Sequence, residues 1–152
     1  MALEHEFYLI PQTTDIREYW QLTHDERTFL DCVVLHDDLI LYIIDSLKWI
    51  PSKNPGIRTV PAGHGINYHG LTLFDKQSAI TLRNIFSAWK NLFENAPMIM
   101  KLTGSFVWSD NEEGEYERLI LDRDRVIKQL ESIIAMSEEL LDGEYYIYHC
   151  GI

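Results

Sequence analysis

Basic residues are scarce in this 152-residue chain: 13 Lys and Arg stand against 24 Asp and Glu, a formal net charge of −11. Such a surface repels phosphate backbones, so nucleic acid and anionic membranes are excluded as partners, and a basic protein is the partner that the charge favours. Cysteine is nearly absent. Cys32 and Cys150 lie far apart with no CxxC pair, which predicts reduced thiols in a cytoplasmic protein rather than a disulfide framework. Long apolar runs are missing too. The best candidate, Leu39–Ile50, is interrupted by Asp45, Ser46 and Lys48 and falls short of the roughly 20 residues that a bilayer crossing requires. Residues 1–6 are acidic and carry neither the basic region nor the apolar run of a secretory signal, so no secretion is expected. Catalytic signatures are equally lacking. There is no G-x-S-x-G elbow and no Walker Lys-Ser pair, and Gly63-x-Gly65 has no third glycine at dinucleotide-fold spacing. No cofactor is expected.

What is present is a sequence that is 46% hydrophobic, enough at this length to fill one core, and residues 1–152 read as a single globular α+β domain. The stretch Gly63–Phe74 leads from an irregular, glycine-bounded approach into a strand at Leu71-Thr72-Leu73-Phe74. Asp75 can cap a helix that ends near Asn95 and carries Ala79, Leu82, Phe86, Trp89 and Phe93 on one stripe. Extended segments follow at 98–108 and 115–121, separated by the turn residues of Ser109–Gly114. A second helix, capped by Asp122 or Asp124, fits 123–142 and is stopped by Gly143. Tyr145–His149 closes the chain as a strand. The order β-α-β-β-α-β predicts a ferredoxin-like sheet with both long helices on one face.

Ahead of that unit, Phe7-Tyr8-Leu9-Ile10 before Pro11 reads as a short edge strand. Thr23 and Glu26 form a T-x-x-E capping box in front of Phe29, Leu30, Val33 and Val34, predicting a helix from about His24, with a strand at Cys32–Leu35 as the competing reading. Asp38 can cap a further helix through Leu39, Ile40, Ile43, Ile44 and Leu47, ended by Pro51. These N-terminal helices would cover the sheet's other face or extend a flank. Ser52–Ala62, with Pro55, Gly56 and Pro61, reads as a surface loop.

Two constellations carry chemistry. If Tyr145–His149 lies beside Leu71–Phe74, His149 comes near His69 and His64, and three imidazoles suit zinc or another soft divalent ion. This is the basis for an alternative reading as a metal-dependent enzyme or ligand-binding domain; glycine-bounded loop packing explains the same residues. His36-Asp37-Asp38 offers carboxylates beside an imidazole, fit for acid-base work, although a capped helix junction accounts for them as well.

The leading expectation is protein binding. Tyr68, Trp108, Tyr146 and Tyr148 supply the aromatic residues that anchor interfaces, and Glu112, Glu113 and Glu115 supply an acidic rim, so a basic protein partner is expected at those positions. An RNA-recognition reading fails because the basic strand is missing and the charge has the wrong sign. In class, a small acidic α+β chain without a catalytic signature resembles immunity proteins that block toxin enzymes; this implies an immunity- or inhibitor-type role and assigns no residue.

Overall fold

Phe7-Tyr8-Leu9-Ile10 is apolar at both alternating sets of positions, the pattern of a strand covered on two faces. The strand that contains it, β1 (Glu4–Pro11), buries all four side chains. It lies between β2 (Asp31–His36) and the last strand, Tyr145–Cys150, which in turn pairs with Leu71–Phe74. Numbered along the chain these are β1, β2, β8 and β5, and the antiparallel order is β2-β1-β8-β5. The expectation of an edge strand at residues 7–10 is therefore corrected. The computed structural model describes residues 3–55 and 63–152. Gly56 and Pro61 of the expected surface loop fall outside the described residues.

One face of the sheet presents Phe7, Leu9, Val33, Leu35, Phe74 and Ile147 to three helices: α2 (Asp37–Leu47), α3 (Ala79–Phe93) and α4 (Arg123–Glu139). The helical stripes read from the sequence supply the other half of that core, through Leu39, Ile40 and Ile43 of α2, Leu82 and Phe86 of α3, and Leu130 and Ile133 of α4. The opposite face carries Tyr8, Ile10, Leu73 and Tyr148 and is covered by the segment between β1 and β2, including α1 (Ile16–Tyr19). Two-residue strands β3 (Pro51–Ser52) and β4 (Gly63–His64) pair beside β5, where Lys53 bridges to Leu73.

Local signals set most helix ends. His36 caps α2, its Nδ1 accepting the Asp38 amide at 3.0 Å, two positions before the expected cap. Asp122 caps α4 by accepting the Arg125 amide at 2.8 Å. The helix continues into a 3-10 turn at Leu140–Asp142, and Gly143 ends it at φ 76°, a left-handed conformation that glycine adopts without steric penalty.

Two expectations are overturned. The capping box at Thr23 and Glu26 is real, with the Thr23 amide donating to the Glu26 carboxylate at 2.8 Å, but it closes only a 3-10 turn at His24–Glu26. Arg27 is already extended, and Cys32–Leu35 belongs to β2, the competing reading. A single turn of helix cannot outweigh the backbone ladder that β2 forms with β1 and the burial of Val33 and Leu35. The ferredoxin-like topology also fails. The hairpin strands β6 (Ile99–Trp108) and β7 (Gly114–Asp122) pair with each other and, among the described residues, with no strand of the main sheet. The strands that complete the sheet begun by β5 and β8 come from the N-terminal third instead: β1 takes the position beside β8, and β2 stands beyond it.

Ile133 is fully buried in the helix-sheet core, whereas Lys90 stands on the outer side of α3 in ion pairs with Glu94 and Glu131. Urea denaturation of Ile133→Ala should show a loss of about 2–5 kcal/mol. Lys90→Ala should shift the denaturation midpoint far less, because exposed ion pairs contribute little.

Candidate functional site

The hairpin divides its side chains between core and solvent with a period of two. Met100 and Leu119 are buried, and Leu102 and Leu121 pack against the core from the same side. The outer set is large, apolar and open: Trp108 is 73% exposed, Ile120 65%, Tyr116 60% and Phe106 46%. Met98 and Ile99 continue this exposure at the base. A two-stranded ribbon has little stability alone, so its inner face is held by α2 and the core, while among the described residues nothing covers the outer face. The register shifts between Thr103 and Phe106, with Gly104 and Ser105 between them. Beyond that shift Phe106 stands opposite Tyr116, their rings 5.1 Å apart at 72°, and meets Trp108 edge-on at 5.4 Å. Phe106 lies directly over Gly114, where a Cβ would come within 2.2 Å of the ring. Any larger residue at 114 would have to displace the Phe106 ring from that cluster.

The tip turns at Asp110–Glu113, closed by the Ser109 amide donating to the Glu113 carbonyl at 2.8 Å. Glu112 occupies the turn at φ 60°. Glycine or asparagine is the economical residue there, and a bulky side chain costs conformational energy. Asp110, Glu113 and Glu115 lie within three residues of it in the chain, whereas Glu117 stands farther down the strand, beside Gly104 and a hollow lined by Asp38 and Tyr42. Lys101 and Arg118 sit on the outer face nearer the base, so the negative charge is concentrated at the tip.

Trp108, Glu112, Glu113 and Glu115 thus share the projecting arm, but the other expected aromatics do not. Comparison with protein-family models, with curated proteins and with solved structures gives no match. Tyr146 and Tyr148 lie on the sheet face under the segment from 12 to 30, where Tyr148 is fully buried and packs edge-on against Tyr19 at 5.0 Å. Tyr68 belongs to the opposite face. The single aromatic surface expected from these residues is corrected to an arm that carries Trp108, joined by Phe106 and Tyr116. The sequence reading missed Phe106 and Tyr116 as site residues; their signal was the placement of three aromatics on either side of a turn rich in carboxylates.

The histidine expectation is corrected as well. His149 is fully buried, but its partner is His5, with Nε2 3.0 Å from His5 Nδ1. His64 is exposed on β4, and His69 packs edge-on against Tyr68 at 4.7 Å. Among the described residues no group of three or more His, Cys, Asp or Glu is placed to hold a metal ion. The buried network continues from His5 Nε2 to Asp37 Oδ1 at 3.0 Å, and the Tyr68 hydroxyl donates to the same oxygen at 2.5 Å. At the other end His149 Nδ1 lies 3.4 Å from Thr72 Oγ1. With both imidazoles neutral, one tautomer set satisfies the row: Thr72 donates to His149, His149 to His5, and His5 to Asp37. Asp37, in the first turn of α2, therefore faces inward while its neighbour His36 caps the helix. Among described residues no helix is long and apolar enough to cross a membrane.

Thiol chemistry is not favoured at either cysteine. Burial, followed by the charge of Glu6, pushes the Cys32 thiol up to about 11, and burial raises Cys150. Arg27 lies between Tyr8 and Tyr19, 5.1 and 5.5 Å from their ring centres, and pairs with Glu6 at 3.5 Å. It pins the second face of the sheet.

Burial first, and the neighbouring His5 second, hold the His149 imidazole down from 6.5 to about 3. Between those values the unfolded chain binds a proton at this residue that the folded chain refuses, so stability must fall as the pH is lowered through that window. Chemical denaturation from pH 7 to pH 4 should show a steeper loss for wild type than for His149→Asn. Equal slopes would remove His149 from the acid response.

Proposed function

We propose that this chain is a cytosolic protein-binding module whose β6–β7 arm docks a basic partner protein. The observation that carries the reading is the outer face of the arm: Phe106, Trp108, Tyr116 and Ile120 form an exposed apolar strip beside an acidic tip. Soluble chains rarely expose that much contiguous apolar surface without a use, and aromatic anchors with charged surroundings are what interfaces select. The Glu112 backbone supports the same reading. A carboxylate retained at a position that glycine would occupy more cheaply points to a requirement for the charge itself.

The occupant follows from electrostatics. A second copy would bring the same acidic tip to the same face and repel it, whereas a basic surface is attracted from a distance and docks against the rings. An inhibitor- or immunity-type role is the form this takes if the partner is an enzyme whose cleft is built for anionic substrates. An acidic arm with aromatic residues would then fill that cleft and satisfy its positive charges.

Once a partner has been captured on the intact protein, Trp108→Ala and Tyr116→Ala should each weaken binding by at least about tenfold, as central aromatic anchors do. Glu112→Gln/Glu113→Gln/Glu115→Gln should slow association at low salt and matter little at high salt. Sedimentation velocity of the protein alone should show no association through the arm. A partner that binds all these variants as it binds wild type would locate recognition elsewhere.

A further inference from the structure

Strand β2 ends the main sheet, with β1 on one side and, among the described residues, no strand on the other. The Asp37 amide donates to the Leu3 carbonyl at 3.0 Å, which fixes the phase of the ladder. Leu35 and Val33 exchange hydrogen bonds with His5 and Phe7, and the peptide groups of Val34 and Cys32 turn outward. Two side chains occupy part of that outer row. Gln129 of α4 donates through Nε2 to the Val34 carbonyl at 2.9 Å, and Asp31 accepts the Cys32 amide at 2.8 Å. Gln129 thus holds a position that a neighbouring strand would take, and the Val34 amide points the same way.

A groove follows this edge. Two adjoining hollows, about 230 and 390 Å³, share Glu4, Val34, Arg125 and Gln129 and together run the length of β2, with α4 as the facing wall. That wall is basic. Arg125 and Lys128 line the groove, and neither side chain forms an ion pair among the described residues. Among the described residues Glu4 is the one carboxylate in the larger hollow; at the far end Asp122 is engaged as the cap of α4, and Asp38 sits with His36. On a chain of net charge −11, unpaired cations beside an open strand edge mark a place for negative charge.

We propose that β2 accepts an extended, acidic peptide segment of a partner protein as a fifth strand, laid between the β2 edge and α4. The segment takes its backbone hydrogen bonds from Val34 and Cys32, displaces Gln129 from the Val34 carbonyl and Asp31 from the Cys32 amide, and turns alternate acidic side chains toward Arg125 and Lys128. Strand addition of this kind draws affinity from the main chain and selectivity from alternate side chains. A second copy is the poorer occupant, because two-fold pairing of β2 with itself would set one Arg125 and Lys128 wall against another. The groove reaches the base of the arm at Ile120 and Leu121, but the inference does not use the aromatic residues near the arm's tip.

The test uses the intact chain and random twelve-residue peptides displayed on phage, with enriched peptides resynthesised and measured by fluorescence anisotropy. Enrichment of acid-rich, β-branched sequences is expected. Arg125→Glu/Lys128→Glu should weaken them at least tenfold, and Gln129→Ala should bind them as well as wild type or better. Val34→Pro removes the outward amide while leaving the β1 ladder intact, as proline permits on an edge strand; if folded by thermal melting, it should also lose at least tenfold. Trp108→Ala should leave peptide binding unchanged. The proposal is overturned if no peptide is enriched, if charge reversal leaves binding intact, if Trp108→Ala abolishes it, or if sedimentation shows that β2 is occupied by a second copy.

Discussion

The hydrogen-bonded pairing of β1 with β8 holds the structure together. It lies at the centre of the sheet, it is buried on both faces, and it joins segments from opposite ends of the sequence. On one side it supplies Phe7, Leu9 and Ile147 to the helices; on the other it supplies Tyr8, Ile10 and Tyr148 to the segment that precedes β2. The same pairing sets His5 against His149 and thereby creates the polar row to Asp37 and Tyr68. Burying this row is tolerable because each of its side chains has a partner within it. The row also ties the start of α2 to three strands and to the turn before β5.

Much of the helical and hairpin structure was legible in the sequence, because those elements are dictated by neighbours in the chain. Leu130 and Ile133 recur at helical spacing, Gly143 fits the left-handed stop, and carboxylates and glycine mark the turn at Asp110–Gly114. The topology was not legible for the converse reason. The partner of β8 is decided by contacts with residues more than a hundred positions away, and a periodic pattern contains no information about which strands are neighbours. Cys32–Leu35 shows the conflict directly: its local signals allow helix or strand, and only the presence of β1 decides. The four-residue apolar run at Phe7–Ile10 did hold the answer, since a strand that faces water on one side would alternate.

The candidate site divides in the same manner. Trp108 and the tip carboxylates were readable because composition alone marks an aromatic, acidic turn. The separation of Tyr68 from Tyr146 and Tyr148 was not, because alternation along a strand assigns a face only when the sheet's two coverings are known. His5 and Asp37 were invisible as partners for that reason, although His5 lies on the same alternating set as Phe7 and Leu9. Electrostatically the molecule is uneven. The tip of the arm is negative, while the groove beside β2 is among the few places where cations collect.

The central pairing also has a temporal side. His5 and His149 are 144 residues apart in sequence, so during synthesis β1 must wait for well over a hundred further residues before its second edge can close. Until then it can pair with β2 and be covered by α2, yet one row of its backbone groups and the rings that flank it stay open to other chains. Long-range pairing of this sort slows folding and lengthens the exposure of aggregation-prone edges. The nascent chain is therefore most exposed to wrong pairing immediately before β8 emerges.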